Sequence, residues 1–176
     1  MSDTQGAFLA LETAMQLEKD GYAFYTQAAE ITADPQGQRM FRALARDEQT
    51  HLTLLETAYA SLKSTAQWPN PKAAAGKGSA RRRRLVFPKS AQAAGAIAPN
   101  ATELRALERG IKAEKDSIAL YSRAARETTD PDGRAMYLRL VEQEKGHLTV
   151  LQGEYDYLTG SGFWLGFEEF DLEAAS

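Results

Sequence analysis

The sequence has 176 residues, of which 43% are hydrophobic, and this length and composition predict one folded domain with a real core. Its 24 acidic and 21 basic residues give a net charge of −3, which does not favour nucleic acid or an anionic membrane as a partner. Because cysteine is absent, disulfides, thiol nucleophiles and cysteine-ligated zinc or iron centres are excluded. The sequence shows neither a secretory signal nor a long apolar segment, so we expect a cytoplasmic protein with no membrane partner.

The first half of the chain predicts a helical hairpin. Apolar residues recur at steps of three and four over residues 5–32 and again over 36–63, the spacing of one helical face. Asp34-Pro35 separates the two helices, because a proline disfavours helical geometry at the preceding residue and suits the first turn of a new helix. The inward positions are Leu11, Met15, Glu18, Tyr22, Tyr25, Ala29, Leu44, Glu48, His51, Leu55 and Leu62.

The middle of the chain, residues 64–100, has the composition of a linker. It contains four of the six prolines and is long enough for a crossover that runs along a bundle. Its basic run, Arg81 to Arg84, could hold RNA or an acidic partner, but aromatic residues able to stack on bases are nearly absent there. We therefore interpret the strap as a solvated loop, anchored to the bundle by Leu85-Val86-Phe87.

The second half repeats the first at an offset of 96 residues. From Ala7 to Leu62, 23 of 56 aligned positions are identical, which indicates a duplication. Helices are predicted at 101–128 and 132–158, with the turn at Asp130-Pro131. The predicted fold is an all-α four-helix bundle over residues 1–160, made of two repeated hairpins joined by the long crossover.

A short tail follows the bundle, over residues 161–176. It combines four large aromatic residues with four acidic ones, and so many aromatic side chains seldom stay exposed. We interpret it as a cap on the bundle end or on a second subunit. The alternative is a docking segment for a reductase or a protein shell.

Six polar residues interrupt the apolar faces of the predicted helices. Two Glu-x-x-His pairs place a carboxylate and an imidazole one turn apart on one face. Glu18 precedes Asp34 by 16 residues and Glu48 follows Pro35 by 13, so both stand about 20–24 Å from their turn. The second hairpin has the same spacings. One layer of the bundle should therefore contain Glu18, Glu48, His51, Glu114, Glu144 and His147.

Four buried carboxylates need counter-charge, since the loss of solvation and the mutual repulsion of like charges are costly. Two divalent cations about 3.5–4 Å apart would balance four negative charges and accept oxygen and imidazole ligands. Two iron ions suit this donor set, and manganese is possible. The alternative is a bundle descended from metal proteins in which the site is vacant.

This pattern resembles the ferritin-like di-iron carboxylate proteins, and most closely the rubrerythrins. The resemblance covers the chain from about Gly6 to Leu158 and implies a homodimer or larger assembly that reduces hydrogen peroxide, oxidises Fe(II), or both. Two features depart from it. A chain without cysteine has no rubredoxin domain, so an external electron donor protein is expected. Where rubrerythrins carry a further glutamate, linked to ligand exchange during peroxide turnover, this chain has Ser117.

Other inward residues lie close to the predicted ligands. Tyr25 and Tyr121 each follow a ligand glutamate by seven residues, so they could hydrogen-bond a ligand carboxylate or give an electron to oxidised iron. Alternatively, both are simply core residues. Asp47 could orient a ligand histidine of a neighbouring helix, although its repeat counterpart is Gln143.

Three functions follow from these residues. The first is a di-iron oxidoreductase that reduces hydrogen peroxide with electrons from an external donor. The second is an iron-handling ferroxidase that uses dioxygen. The third is a non-catalytic helical interaction module with a vacant site.

Overall fold

The computed structural model describes residues 3–69 and 101–160, which form four helices. In chain order they are α1 (Asp3–Ile31), α2 (Pro35–Thr65), α3 (Ala101–Glu127) and α4 (Pro131–Thr159). The predicted all-α four-helix fold is confirmed, and the described residues contain no strand. None of these helices is long and apolar enough to cross a membrane. Outside the described residues lie Arg81 to Arg84, the Leu85-Val86-Phe87 segment and the tail 161–176, whose roles stay predictions.

Both hairpin turns are built in the same way. Asp34 and Asp130 have extended backbones, and each is followed by a proline in the first turn of the next helix. The Asp34 carboxylate accepts a hydrogen bond from the Gly37 amide at 2.7 Å, and the Asp130 carboxylate accepts one from Gly133 at 3.2 Å. These N-caps satisfy amides that have no partner within the helix, so the repeated Asp-Pro sequence fixes where α2 and α4 begin.

The hairpins pack with α1 against α3 and with α2 against α4. One apolar cluster joins the N-terminal part of α1 and the C-terminal part of α3, from Leu11 and Tyr121 to Trp68 and Leu140. A second cluster joins the opposite ends of the helices, around Tyr25, Phe41, Leu107 and Leu151. The helices α1 and α3 therefore run antiparallel, and the predicted polar layer lies between two apolar halves of the core.

A half-buried carboxyl group at one end of the bundle should make stability depend on pH. Burial, followed by the charges of Asp34 and Glu103, raises the pKa of Glu154 from 4.5 to about 7. The native state therefore binds this proton more tightly than the unfolded state. The stabilisation it gives is fully present below pH 4.5 and is lost as the pH rises through 7.

We expect Glu154→Gln to make the protein more stable than the wild type at pH 8, by about 2 kcal/mol, because the substitution removes the buried charge. The two proteins should differ little at pH 4.5. Urea denaturation at both pH values measures the difference. Glu142→Gln, at an exposed position of the same helix, is the matched control and should show no such change. Equal stability of Glu154→Gln and wild type at pH 8 would contradict the prediction.

Candidate metal centre

All six polar residues predicted for the inner layer lie together in the middle of the bundle. Each helix contributes to the cluster: α1 and α3 supply one glutamate each, and α2 and α4 supply a Glu-x-x-His pair each. Every one of the six is buried, none more than 7% exposed. The residues are Glu18, Glu48, His51, Glu114, Glu144 and His147.

The two histidines face each other across the centre. Their rings are stacked, with centroids 5.5 Å apart. His51 Nδ1 lies 3.0 Å from Glu144 Oε1 and 3.4 Å from Glu18 Oε2. His147 Nδ1 lies 2.9 Å from Glu144 Oε2 and 3.4 Å from Glu48 Oε1. Both Nδ1 atoms therefore point into the space where the carboxylates converge.

The donor atoms form two groups that share two members. Within each group, one oxygen or nitrogen atom from every residue lies within 4.8 Å of the others. Glu48 and Glu144 belong to both groups, whereas Glu18 and Glu114 each belong to one. The first group is Glu18, Glu48, His51 and Glu144, and the second is Glu48, Glu114, Glu144 and His147.

In the part of the chain that the structure describes, several of these atoms are buried without a hydrogen bond, including Glu18 Oε2, both oxygens of Glu144 and the Nδ1 atoms of both histidines. The short distances between them do not have hydrogen-bond geometry. Buried polar atoms are normally satisfied, so such a cluster of unpaired acceptors calls for a cation. Carboxylate oxygens and imidazole nitrogens are suitable ligands for divalent iron or manganese, and the donor set thus fits a pair of such ions.

Burial and mutual contact give the carboxyl groups unequal affinities for protons. Burial raises the pKa of Glu18 to about 8, although His51 lowers it, and burial raises the pKa of Glu114 to about 7. At Glu48 the neighbouring His147 and His51 outweigh burial and hold the pKa below its usual range. Bound cations would have to displace protons from such a cluster.

The two predicted tyrosines bond to the cluster crosswise. Tyr25 on α1 donates its hydroxyl proton to Glu114 on α3, and Tyr121 on α3 donates to Glu18 on α1. Burial, with the charge of the accepting carboxylate, raises the pKa of both hydroxyls, so each keeps its proton. Each tyrosine therefore holds the carboxylate of the opposite hairpin in place.

One residue beside the cluster was not singled out by the sequence. Gly21 lies on α1, and a Cβ atom added there would lie 3.4 Å from Glu48 Cδ. Gly21 therefore lies beside the Glu48 carboxylate with no side chain of its own between them. The repeat alignment could have identified Gly21, because it is the counterpart of Ser117, where rubrerythrins carry the further glutamate.

Asp47 approaches the outer face of one histidine, with Oδ2 3.6 Å from His147 Nε2. This is longer than a hydrogen bond but close enough for electrostatic orientation.

We expect Asp47→Ala to weaken the binding of one metal ion by about tenfold. Loss of a residue that orients a ligand lowers metal affinity by about 10–100-fold, and the smaller value is expected here because Asp47 is exposed. Anaerobic titration with Co(II) measures this affinity. Its repeat counterpart supplies the control: equal weakening by Gln143→Ala would contradict a specific role for the Asp47 carboxylate.

Comparison with known proteins agrees with this architecture. A hypothetical protein from Pyrococcus furiosus superposes with a TM-score of 0.65 at 20% identity, over 88% of this chain and 91% of that one. A two-domain protein from Anabaena variabilis, with DJ-1/ThiJ/PfpI-like and ferritin-like domains, gives a TM-score of 0.63 at 13% identity. That match covers 93% of this chain and 40% of the other. At these identities the likeness concerns the fold.

The family assignment rests on the sequence profile. No curated protein matches the chain. The rubrerythrin family model, however, matches residues 10–155, which include the whole cluster and all but the ends of the described bundle. The chain therefore belongs to the rubrerythrin family, within the ferritin-like superfamily.

Proposed function

We propose that this protein is a di-iron oxidoreductase that reduces hydrogen peroxide. The observation that carries the proposal is the pair of overlapping donor groups that share Glu48 and Glu144. Two ions held side by side would supply, when loaded as Fe(II), the two electrons that convert one peroxide and two protons into two water molecules. A single Fe(II) ion would supply only one electron.

The protein residues have three roles in this reaction. The six donors would hold the two ions, and Glu48 and Glu144 belong to both donor groups. The apolar clusters on either side exclude water from the layer, which strengthens electrostatic interactions within it. Tyr25 and Tyr121 fix the outer carboxylates through their hydroxyl groups, so that the donor set is oriented before the ions bind.

The electrons are proposed to come from a donor outside these 176 residues, because a sequence without cysteine has no rubredoxin-type iron centre. The donor is expected to be a separate protein, and the bundle is expected to form a homodimer. Size-exclusion chromatography with light scattering measures the second expectation.

A ferroxidase that uses dioxygen is the second candidate, and Ser117 favours it. The Ser117 hydroxyl donates to the Ala113 carbonyl at 3.1 Å within its own helix. The side chain thus faces its own helix, and serine has no carboxylate to offer at the position that rubrerythrins use during peroxide turnover. The di-iron peroxidase remains the first proposal because the chain belongs to the rubrerythrin family and because Ser117 is not one of the six donors.

Anaerobic loading with Fe(II), followed by rapid mixing with one oxidant, separates these functions. Much faster oxidation by hydrogen peroxide than by dioxygen supports the peroxidase. Faster oxidation by dioxygen, with release of Fe(III), supports the ferroxidase and overturns the first proposal. Failure to bind two iron ions overturns both and leaves the non-catalytic module.

A further inference from the structure

One buried hydroxyl group in the bundle is not explained by packing. Tyr137 on α4 is 1% exposed, and its hydroxyl has no hydrogen-bond partner within residues 3–69 and 101–160. A buried hydroxyl without a partner costs about 1–3 kcal/mol. At the corresponding position of the first repeat, the chain has Phe41, which is fully buried without this cost. The phenol ring at position 137 therefore calls for a reason other than core filling.

Tyr137 lies between two other rings that can lose an electron. Its ring stacks on that of Tyr121 at a centroid distance of 6.3 Å and an interplanar angle of 24°. On its other side the Trp68 ring meets it edge-on, at 5.7 Å and 71°. Tyr121 in turn donates its hydroxyl proton to Glu18 of the metal centre. The three rings thus form a continuous series that ends on a proposed metal ligand.

The other hairpin has no such series among the described residues. Tyr25 bonds to Glu114 as Tyr121 bonds to Glu18, but the ring stacked on it at 6.2 Å is that of Phe41. The remaining ring beside Tyr25 is that of Phe24. The phenyl ring of phenylalanine is much harder to oxidise than the phenol ring of tyrosine or the indole ring of tryptophan. The duplicated bundle has therefore become asymmetric on one side of its centre.

Trp68, at the end of the series, packs into a space left by a glycine. It follows the C-cap of α2 and is 9% exposed, so it is the member of the series nearest the end of the bundle. Its ring lies against the first turn of α4, where a Cβ atom on Gly133 would approach the Trp68 ring to 2.6 Å. Only glycine leaves room for the indole there.

We propose that Trp68, Tyr137 and Tyr121 form a path for single electrons between the end of the bundle and the Glu18 side of the metal centre. The inference rests on the proposed oxidoreductase function for its role in the cell, although its test does not. The path would let a one-electron donor serve a centre that works in two-electron steps.

A one-electron oxidant, the azide radical in the experiment below, takes one electron from Trp68, becomes azide and leaves an indole radical cation. An electron from Tyr121 then passes through the Tyr137 ring and restores the neutral indole. The phenolic proton of Tyr121 moves along their hydrogen bond to Glu18 in its ionised form, which leaves a neutral phenoxyl radical. Tyr137 has no acceptor for its proton among the described residues, so the radical does not rest there. Electrons from a donor would pass along the same three rings in the opposite direction, from Trp68 to Tyr121.

Pulse radiolysis of the metal-free protein at pH 9, where Glu18 is ionised, tests the path. Azide radicals oxidise indole in preference to phenol, and Trp164→Phe leaves Trp68 as the one remaining tryptophan. We expect the absorption of the indole radical to decay while that of a phenoxyl radical rises, at a rate independent of protein concentration. Tyr121→Phe should abolish this rise and Tyr137→Phe should slow it.

Tyr25→Phe is the matched control, because Tyr25 makes the equivalent bond on the side without a path. It should leave the rate unchanged. The path is overturned if Tyr121→Phe and Tyr25→Phe behave alike, if Tyr137→Phe does not slow the transfer, or if the rate scales with protein concentration. Circular dichroism and Trp68 fluorescence verify that each variant is folded. Because no iron or peroxide is present, failure here is distinguishable from failure of the proposed function.

Discussion

Replacing Glu144 by alanine is expected to abolish tight binding of both metal ions, whereas replacing Glu18 should affect only one. Glu144 lies within both donor groups, and each of its oxygens faces a different histidine. Glu18 belongs to the first group alone. Partners that merely orient a ligand are already worth about 10–100-fold in affinity, so loss of a shared ligand should weaken each site by more than about 100-fold.

Anaerobic titration with Fe(II) or Co(II) measures the number of tight equivalents. We expect two for the wild type, one for Glu18→Ala and none for Glu144→Ala. Glu142→Ala, at an exposed position of α4 where the side chain contacts Lys145, is the matched control and should retain two. Loss of a single equivalent in Glu144→Ala would show that Glu144 serves one ion only, and would contradict the shared arrangement.

The duplication explains why so much of this site could be predicted from the sequence. Because the two halves align without gaps, the distances of Glu18 and Glu48 from their turn recur in the second hairpin. Helical rise then places all four glutamates at one height. The structure brings these groups together because the Asp34-Pro35 and Asp130-Pro131 turns begin α2 and α4 at equivalent positions.

The contacts between hairpins could not be predicted in the same way. Spacing alone placed Tyr25 two turns beyond Glu18 on one helix, and it did not say which of the four glutamates in the layer its hydroxyl would meet. The antiparallel packing of α1 on α3 directs Tyr25 to Glu114 instead, and Tyr121 to Glu18. Which carboxylate a side chain meets depends on the distance between helices, which periodicity within one helix does not contain.

The Trp68 ring was missed for a related reason. It lies in the predicted linker, where a composition rich in proline and glycine indicated no packing role. In the structure Trp68 is buried against Tyr137 and Gly133. The available signal was the difference between Phe41 and Tyr137 at equivalent positions of the repeats. A hydroxyl at a core position is unfavourable unless it is hydrogen-bonded, so its presence indicated a role beyond packing.

Loading with a divalent metal is expected to raise the free energy of unfolding by about 4 kcal/mol per site when the free ion is about 1,000 times its dissociation constant. For a chain of this size, two filled sites correspond to a rise in Tm of about 15–30 °C. The physical reason is the cluster of four buried carboxylates, which repel one another in the native state until cations neutralise them. Thermal unfolding followed by circular dichroism, with redox-inactive Mn(II) under anaerobic conditions, measures the shift.

The double variant Glu48→Ala/Glu144→Ala separates this centre from adventitious binding, because it removes both carboxylates that the two donor groups share. Mn(II) should leave the Tm of this variant nearly unchanged, and a chelator should return the loaded wild type to the Tm of the metal-free protein. An equal rise in both proteins would mean that the ions bind elsewhere. If Mn(II) and Fe(II) both leave the wild-type Tm unchanged, the site is vacant and the unpaired carboxylates are a cost inherited from a metal-binding ancestor rather than the basis of a redox reaction.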